Sequence, residues 1–361
     1  MKKTKLYEVH KKLNAKLVDF AGYEMPVQYS SIIDEHKTVR NSVGVFDVSH
    51  MGEIFVVGEN ALSFVQYITT NNASKLTDGR VQYSAMCYED GGIVDDLLVY
   101  RISENKFMLV VNASNKDKDF EWMKKNNKFD AVLNDKSDDY SLLAVQGPNS
   151  QKVIQKLTDV NLEEIEYYHF VQTKVAGVEM ILSRTGYTGE LGYELYFTGD
   201  ESTAETVWNA IFEAGEEFNI KPAGLGARDS LRLEMGFCLY GNDIDKTTNP
   251  IEAGLGWITK LKKGDFVGRD VIAKVKEEGT TRKLVPLTTE QKAFPRHGYD
   301  VIVDGKKIGY VTSGTVSPIL SKPIALAYVE KEYAQEGTEV NIRIRDKEIP
   351  VQIVKLPFVV K

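Results

Sequence analysis

The chain has 361 residues, 42% of them hydrophobic and 27% charged, a balance that supports two or three folded domains and excludes a disordered or fibrous chain. Its 45 basic residues against 52 acidic ones leave a net charge of −7, so the basic footprint of a nucleic-acid binder is missing. No stretch approaches the roughly 18 consecutive apolar residues of a spanning helix, and the basic start, Met1-Lys-Lys-Thr-Lys-Leu6, has no apolar run behind it. A cytoplasmic protein without an export signal is therefore expected.

Taken in order, the pattern predicts short helices over Leu6 to Leu13 and Ile32 to Asn41, then a strand over Gly52 to Gly58. Tyr83 to Asn112 reads as a three-strand meander. Its first turn, Glu89-Asp90-Gly91-Gly92, carries the glycine pair that a tight hairpin uses at positive φ, and its second is Ser103-Glu104-Asn105-Lys106. Helical periodicity returns at Asp117 to Lys125, Ser150 to Leu157 and Ser202 to Phe218, a hairpin at Val178 to Phe197, and a helix at Ala227 to Met235. The charged stretch Lys274 to Lys283 reads as a surface linker. Beyond it, Leu284 to Phe358 is short strands punctuated by His297-Gly298, Asp304-Gly305, Ser313-Gly314, Ser317-Pro318, Glu336-Gly337 and Arg345-Asp346, the spacing of a small barrel or sandwich. An α+β body followed by an all-β domain results.

Several chemistries lack their residues. Gly224-Leu-Gly-Ala-Arg-Asp229 begins like a dinucleotide fingerprint, but the third glycine is missing and Pro222 stands where a strand should feed in. There is no phosphate loop and no His-Glu-x-x-His. The histidines at 10, 36, 50, 169 and 297 have no ligand spacing, so no metal is expected. Cys87 and Cys238 form no Cys-x-x-Cys pair and read as buried free thiols.

Three segments carry candidate chemistry. In Gly91-Gly-Ile-Val-Asp-Asp-Leu-Leu-Val-Tyr100, strand alternation sends Asp95 and Asp96 to opposite faces, each among apolar neighbours. Such a carboxylate must find donors, a cation or a ligand; the plainer alternative leaves one exposed and the other capping the hairpin. In Ser183-Arg-Thr-Gly-Tyr-Thr-Gly-Glu-Leu-Gly-Tyr-Glu-Leu195, three glycines allow a close backbone approach, while Tyr187, Tyr193, Glu190 and Glu194 could face a flat heterocycle; a glycine-rich hairpin tip is the alternative. Arg228 and Arg232 share a helix face and could hold an anionic ligand or pair with Asp229 and Glu234. The N-terminal lysines at 2, 3, 5, 11 and 12 form a solvated face or meet an acidic partner.

These residues also carry a resemblance. Val18-Asp-Phe-Ala-Gly-Tyr-Glu-Met-Pro26, Gly44-Val-Phe-Asp-Val-Ser-His-Met-Gly52, Gly91-Gly-Ile-Val-Asp-Asp-Leu97, Val110-Val-Asn-Ala113, Gln146-Gly-Pro148, Ser183-Arg-Thr-Gly-Tyr-Thr-Gly189, Ala223-Gly-Leu-Gly-Ala-Arg-Asp229, Leu239-Tyr-Gly241 and Lys355-Leu-Pro-Phe358 run in order over almost the whole length. In this the chain resembles the aminomethyltransferases, the T-proteins of the glycine cleavage system. The resemblance implies a three-lobed α+β fold, with a folate-binding body of antiparallel sheets and helices over 1–275, built from two interleaved subdomains, and a C-terminal barrel or jelly-roll-like domain over 282–358. It implies transfer of a methylene from an aminomethyl group, carried on the lipoyl arm of the H-protein, to tetrahydrofolate, with release of ammonia and no metal. Asp96 would be the catalytic carboxylate and would also lie in the folate site. Tyr83, Asn112, Tyr187, Glu194 and Arg228 fall on folate-lining positions, joined by Met51, Tyr100 and Trp257. An anionic glutamate tail would want a cation, for which Arg228 is the candidate. Two other activities on the same frame are a folate-dependent demethylase and a non-enzymatic folate-binding module; the latter carries a Lys-Gly-Cys-x-x-Gly-Gln-like signature, of which Met235-Gly-Phe-Cys-Leu-Tyr-Gly241 lacks the Lys and the Gln.

Overall fold

The computed structural model describes residues 1–360. The chain forms two compact units. The first comprises Met1–Val65, Ala73–Tyr83 and Leu97–Asp229; the second comprises Gln66–Asn72, Ser84–Asp96 and the chain from Ser230 onward. The division falls inside two strands, Arg80–Cys87 and Ile93–Ser103, and inside the helix Leu225–Glu234.

A six-stranded sheet forms the frame of the first unit, in the spatial order Phe170–Val175, Val178–Ser183, Gly192–Thr198, Tyr140–Gln146, Gly44–Asp47 and Lys221–Pro222. All neighbours are antiparallel except the last, which runs parallel to Gly44 and Val45. Alternation along Gly192–Thr198 decides its two faces. Tyr193, Leu195 and Phe197 enter a core with Val153, Ile154, Trp208 and Ile211 of the helices Ser150–Gln155 and Glu201–Gly215, whereas Glu194 and Tyr196 point the other way. A second sheet has the order Arg80–Cys87, Ile93–Ser103, Lys106–Val111, Gly52–Val57 and Val132–Asp135. The hairpin Lys16–Phe20 and Tyr23–Gln28 turns on Ala21 and Gly22, at φ 52° and 79°.

In the second unit, Arg282–Thr288, Pro323–Glu330, Lys306–Val316, Asp300–Val303, Glu339–Ile344 and Lys347–Ile353 close into a barrel, with Ile353 registered on Leu287. The domain is thus a barrel and not a jelly roll. Ala325, Ala327 and Val329 fill its interior, while Ile324 and Leu326 pack outward against Leu233 of the helix Leu225–Glu234.

Three sequence expectations change. Lys274 to Lys283 is no linker over its first half, because Arg269–Glu278 is an α-helix that buries Ile272; its charges are the solvent side of an amphipathic helix. Ser313-Gly314 is not a turn but lies mid-strand beside a register shift between Val311 and Ser313, and a Cβ on Gly314 would stand 2.5 Å from the Pro295 carbonyl oxygen. In the first hairpin only Gly91 takes positive φ, 84°. Gly92 is required for space, since a Cβ there would lie 2.0 Å from the carbonyl oxygen of Lys246.

Candidate functional site

The buried carboxyl of Glu194 is the centre of a polar cluster in the first unit. It accepts hydrogen bonds at Oε2 from the hydroxyl of Thr185 and, at 3.3 Å, from that of Tyr196. The Tyr196 hydroxyl is 3.0 Å from that of Tyr100, which donates to Ser183 Oγ at 3.1 Å. Ser183 stands opposite Glu194 in the strand register, so the sheet itself assembles the group. Burial pushes the Glu194 carboxyl upward; the Thr185 hydrogen bond, the Arg228 charge and the Tyr196 hydrogen bond oppose this without cancelling it. Burial likewise drives the Tyr100 and Tyr196 phenols up, keeping both protonated as donors.

Arg228 extends the cluster. Its guanidinium carbon lies 4.5 Å from the centroid of the Tyr187 ring, a cation on an aromatic face. It also acts on His50, whose imidazole is pushed down to about 3 by burial first and by Arg228 next, with Asp47 opposing. An aromatic plate, a cation and a carboxyl with raised proton affinity therefore occur in one neighbourhood, a donor and acceptor set suited to the polar edge of a flat heterocycle.

The glycine-rich segment has a more local reason than a close approach to a ligand. A Cβ on Gly186 or Gly192 would come within 2.1 or 2.3 Å of the Gln146 side-chain amide. That amide donates to the Thr185 carbonyl at 3.2 Å and accepts from Thr188 Oγ1 at 2.9 Å. The glycines make room for Gln146, which in turn shapes the loop. The loop's two candidate carboxylates are separated in the process: Glu190 pairs with Arg40 at 2.8 Å, leaving Glu194 among the hydroxyls.

In the second unit, Asp95 is fully buried and Asp96 half-buried on the opposite face of the strand Ile93–Ser103. Within the turn itself Asp90 also serves as a cap, accepting from the Gly92 amide at 3.0 Å. Neither Asp95 nor Asp96 is exposed, so the reading that leaves one of them in solvent is overturned. Trp257, also in the second unit, is 61% exposed on the turn Leu255–Ile258. Met51, Tyr83 and Asn112 belong to the first unit and are half-buried. Arg232, one turn beyond Arg228, is fully buried and pairs with Asp243 at 2.7 Å.

Sequence reasoning missed Thr185, Tyr196 and Tyr168. Burial raises the Tyr168 phenol, and Tyr167, Glu194 and Tyr100 raise it further, which places the ring beside the cluster. Tyr168 holds φ 61°, a conformation costly for an aromatic residue that nothing in the local sequence signals. Tyr196 was within reach, since alternation puts it on the Glu194 face. Among the described residues no group of three or more His, Cys, Asp or Glu is placed to hold a metal ion, and both cysteines are free and buried.

Comparison with known proteins places the chain in a family. The family model described as the GCVT N-terminal domain matches residues 6–263, and that described as the glycine cleavage T-protein C-terminal barrel domain matches residues 282–359. An aminomethyltransferase from Halothermothrix orenii is 52% identical over 359 residues, covering 99% of this chain and 100% of that one. One from Bacteroides thetaiotaomicron is 54% identical over 361 residues, covering 99% of each. The crystal structure of glycine cleavage system aminomethyltransferase T from Bartonella henselae superposes with a TM-score of 0.92 at 35% identity, covering 99% of this chain and 98% of that one. Relatives matched end to end at this identity favour neither the demethylase nor the non-enzymatic module. With its helix-backed sheet, its closed barrel and its buried glutamate cluster, the chain belongs to the aminomethyltransferase family, the T-proteins of the glycine cleavage system.

Proposed function

We propose that Asp96 is the catalytic carboxylate of this aminomethyltransferase, and that Tyr83, Asn112, Tyr187, Glu194 and Arg228, with Met51, Tyr100 and Trp257, bind its co-substrate tetrahydrofolate. The other substrate is an aminomethyl group on the lipoyl arm of the H-protein, and the products are 5,10-methylenetetrahydrofolate, ammonia and the dihydrolipoyl carrier. The protein works in the cytoplasm, with residues 1–275 as the folate-binding body and 282–358 as the barrel domain.

The observation that carries the reading is the Glu194 cluster. Its carboxyl is already bonded by Thr185 and Tyr196 and still has raised proton affinity, so N–H donors on a ligand edge would stabilise its ionised form. Tyr187 offers a ring face, and Arg228 keeps a cation beside both. Tetrahydrofolate, when bound, supplies the amine nitrogens that take up the one-carbon unit. The methylene carbon forms bonds to two tetrahydrofolate nitrogens while its bonds to the amino nitrogen and to the lipoyl sulfur break. The two amine protons end on the released ammonia and the carrier thiol. Asp96 holds the positive charge that develops as these bonds break and takes up a proton lost by an attacking amine on its way to the leaving group. Each role is worth a few kcal/mol, on the order of 10²–10⁴ in rate. Its half-buried position on a strand, between the apolar Val94 and Leu98 of the same face, holds its carboxylate more firmly than a loop would.

Asp96→Asn keeps the shape and removes the charge. It should lower methylene transfer, read as ammonia release from aminomethylated carrier, by about 100-fold or more. Tetrahydrofolate affinity by calorimetric titration should change little. Unchanged turnover would remove Asp96 from the mechanism.

A further inference from the structure

The beginning of the Asp96 strand is held by a segment remote in sequence, and every contact lies within the second unit. The Ile93 amide donates to the carbonyls of Asp245 and Thr248, both at 3.1 Å. The Ile93 carbonyl accepts from the Tyr240 hydroxyl at 3.1 Å, and that of Gly91 from Asn249 Nδ2 at 3.4 Å. Lys246 presses its carbonyl oxygen against Gly92 so closely that no side chain fits there. The segment from Tyr240 to Asn249 thus grips Gly91, Gly92 and Ile93, and Ile93 lies three residues, about 10 Å along an extended chain, from Asp96.

That segment is fixed in turn by Asp243, which is fully buried. Its Oδ2 accepts from Arg232 Nη1 at 2.7 Å and from the Leu239 amide at 2.9 Å, and its Oδ1 accepts from Thr312 Oγ1 at 2.5 Å. Its carbonyl accepts from the Tyr328 hydroxyl at 2.9 Å, while Arg232 Nη2 donates to Ser313 Oγ at 2.8 Å. Thr312, Ser313 and Tyr328 belong to barrel strands, and Thr312 sits at the register shift of its strand. The bulge brings Thr312 and Ser313 onto Asp243 and Arg232. Buried ion pairs add little net stability over apolar packing of the same volume, but a fully bonded one has a single geometry.

We propose that Asp243 and Tyr240 are positioning residues for Asp96. Asp243 locks the segment to the barrel, and Tyr240 transmits that fixed position to the first residue of the Asp96 strand. The barrel thereby sets where the carboxylate stands. This inference rests on the reading of Asp96 as the catalytic carboxylate.

The test uses the full chain with Tyr240→Phe, which removes one hydroxyl, in wild-type and Asp96→Asn backgrounds. With Asp96 present, kcat should fall about 10-fold, as small misplacements of a reacting group do, while tetrahydrofolate Kd stays within about 2-fold. With Asp96 already replaced, the same substitution should cost less than about 2-fold, the non-additivity of residues that act through one another. Hydrogen exchange at Ile93 to Asp96 should quicken while the melting temperature holds. Asp243→Asn should show the same pattern more strongly; where it unfolds the chain, Tyr240→Phe decides. Unchanged kcat in Tyr240→Phe, or equal losses in both backgrounds, would overturn the proposal. If Asp96→Asn itself left turnover unaltered, the catalytic reading would be the one to fail. Unaltered exchange at Ile93 to Asp96 would refute the mechanical link on its own.

Discussion

At the scale of single residues, the polar groups of the first unit are sorted by what burial does to their charge. Burial alone would raise the Asp47 carboxyl, yet the His10 hydrogen bond at 2.9 Å and its charge, with donors from Ser49 and Thr4, bring it down to about 2. His50, three residues on, has no partner for its buried Nδ1 and stays neutral down to about 3. Between that value and the 6.5 of a free imidazole, the unfolded chain binds a proton that the native chain refuses. Stability therefore rises with pH across that window and is lost on acidification. Asp47 adds a loss of the same sign lower down, from about 4 to about 2. His50→Phe, which keeps a ring against Phe20, should remove on the order of 2 kcal/mol of the destabilisation seen between pH 7 and pH 4.5. Urea midpoints at the two pH values measure it. An undiminished shift in the variant would show that His50 is not the group responsible.

Elements were legible where alternation or helical spacing was clean. The helix Ile32–Asn41 has the predicted limits, with Ser31 accepting from the Asp34 amide at its start, and the meander from Arg80 to Val111 has its three strands. Tyr140–Gln146 was not predicted because it is buried along nearly its whole length, and a short unbroken apolar run has no period that separates strand from helix. The hairpin Lys16–Phe20 and Tyr23–Gln28 escaped for the opposite reason: its first strand is half-exposed without alternation. The glycines of the Glu194 hairpin were visible, but Gln146, the group they accommodate, lies about forty residues earlier and met them only through strand pairing, as Gly192 is registered on Gln146. Gly192→Ala should force the Gln146 amide aside and cost about 1–3 kcal/mol, with tetrahydrofolate binding weakened because the loop carrying Tyr187 shifts. Denaturant unfolding and titration of the same variant would check both, and an alanine there with wild-type stability would mean that Gln146 moves freely.

For the molecule as a whole, the two units are built from interleaved stretches of chain, so the barrel shares its unit with the hairpin that bears Asp96. No helix among the described residues is long and apolar enough to cross a membrane. The N-terminal lysines are engaged loosely. Lys2 lies 3.5 Å from Asp138 with both side chains largely exposed, Lys3 sits 4.0 Å over the Tyr7 ring, and Lys5 donates to the Asp139 carbonyl at 2.7 Å. Exposed pairs of this kind contribute little to stability and leave the cations available to a partner. Replacing Lys2, Lys3 and Lys5 together by Glu should weaken use of the H-protein and steepen the response to salt, with activity toward saturating carrier less affected. Equal activity of variant and wild type at every ionic strength would place the docking face elsewhere.

The amino-acid sequence by itself determined the all-β character of the C-terminal domain and, through the motifs of the resemblance, the family and the residues proposed for the site, because motifs, turn residues and short-range periodicity are written in neighbouring letters. Strand closure, a long-range pairing, made that domain a barrel. Tertiary structure alone decided which of Glu190 and Glu194 is buried among hydroxyls, and that Arg232 answers Asp243. Those outcomes depend on strand register and on contacts that no short-range period encodes, from Arg232 with Asp243, 11 positions apart, to Arg40 with Glu190, 150 apart. The free energy that separates a satisfied buried charge from an exposed one arises from the surroundings and not from the residue.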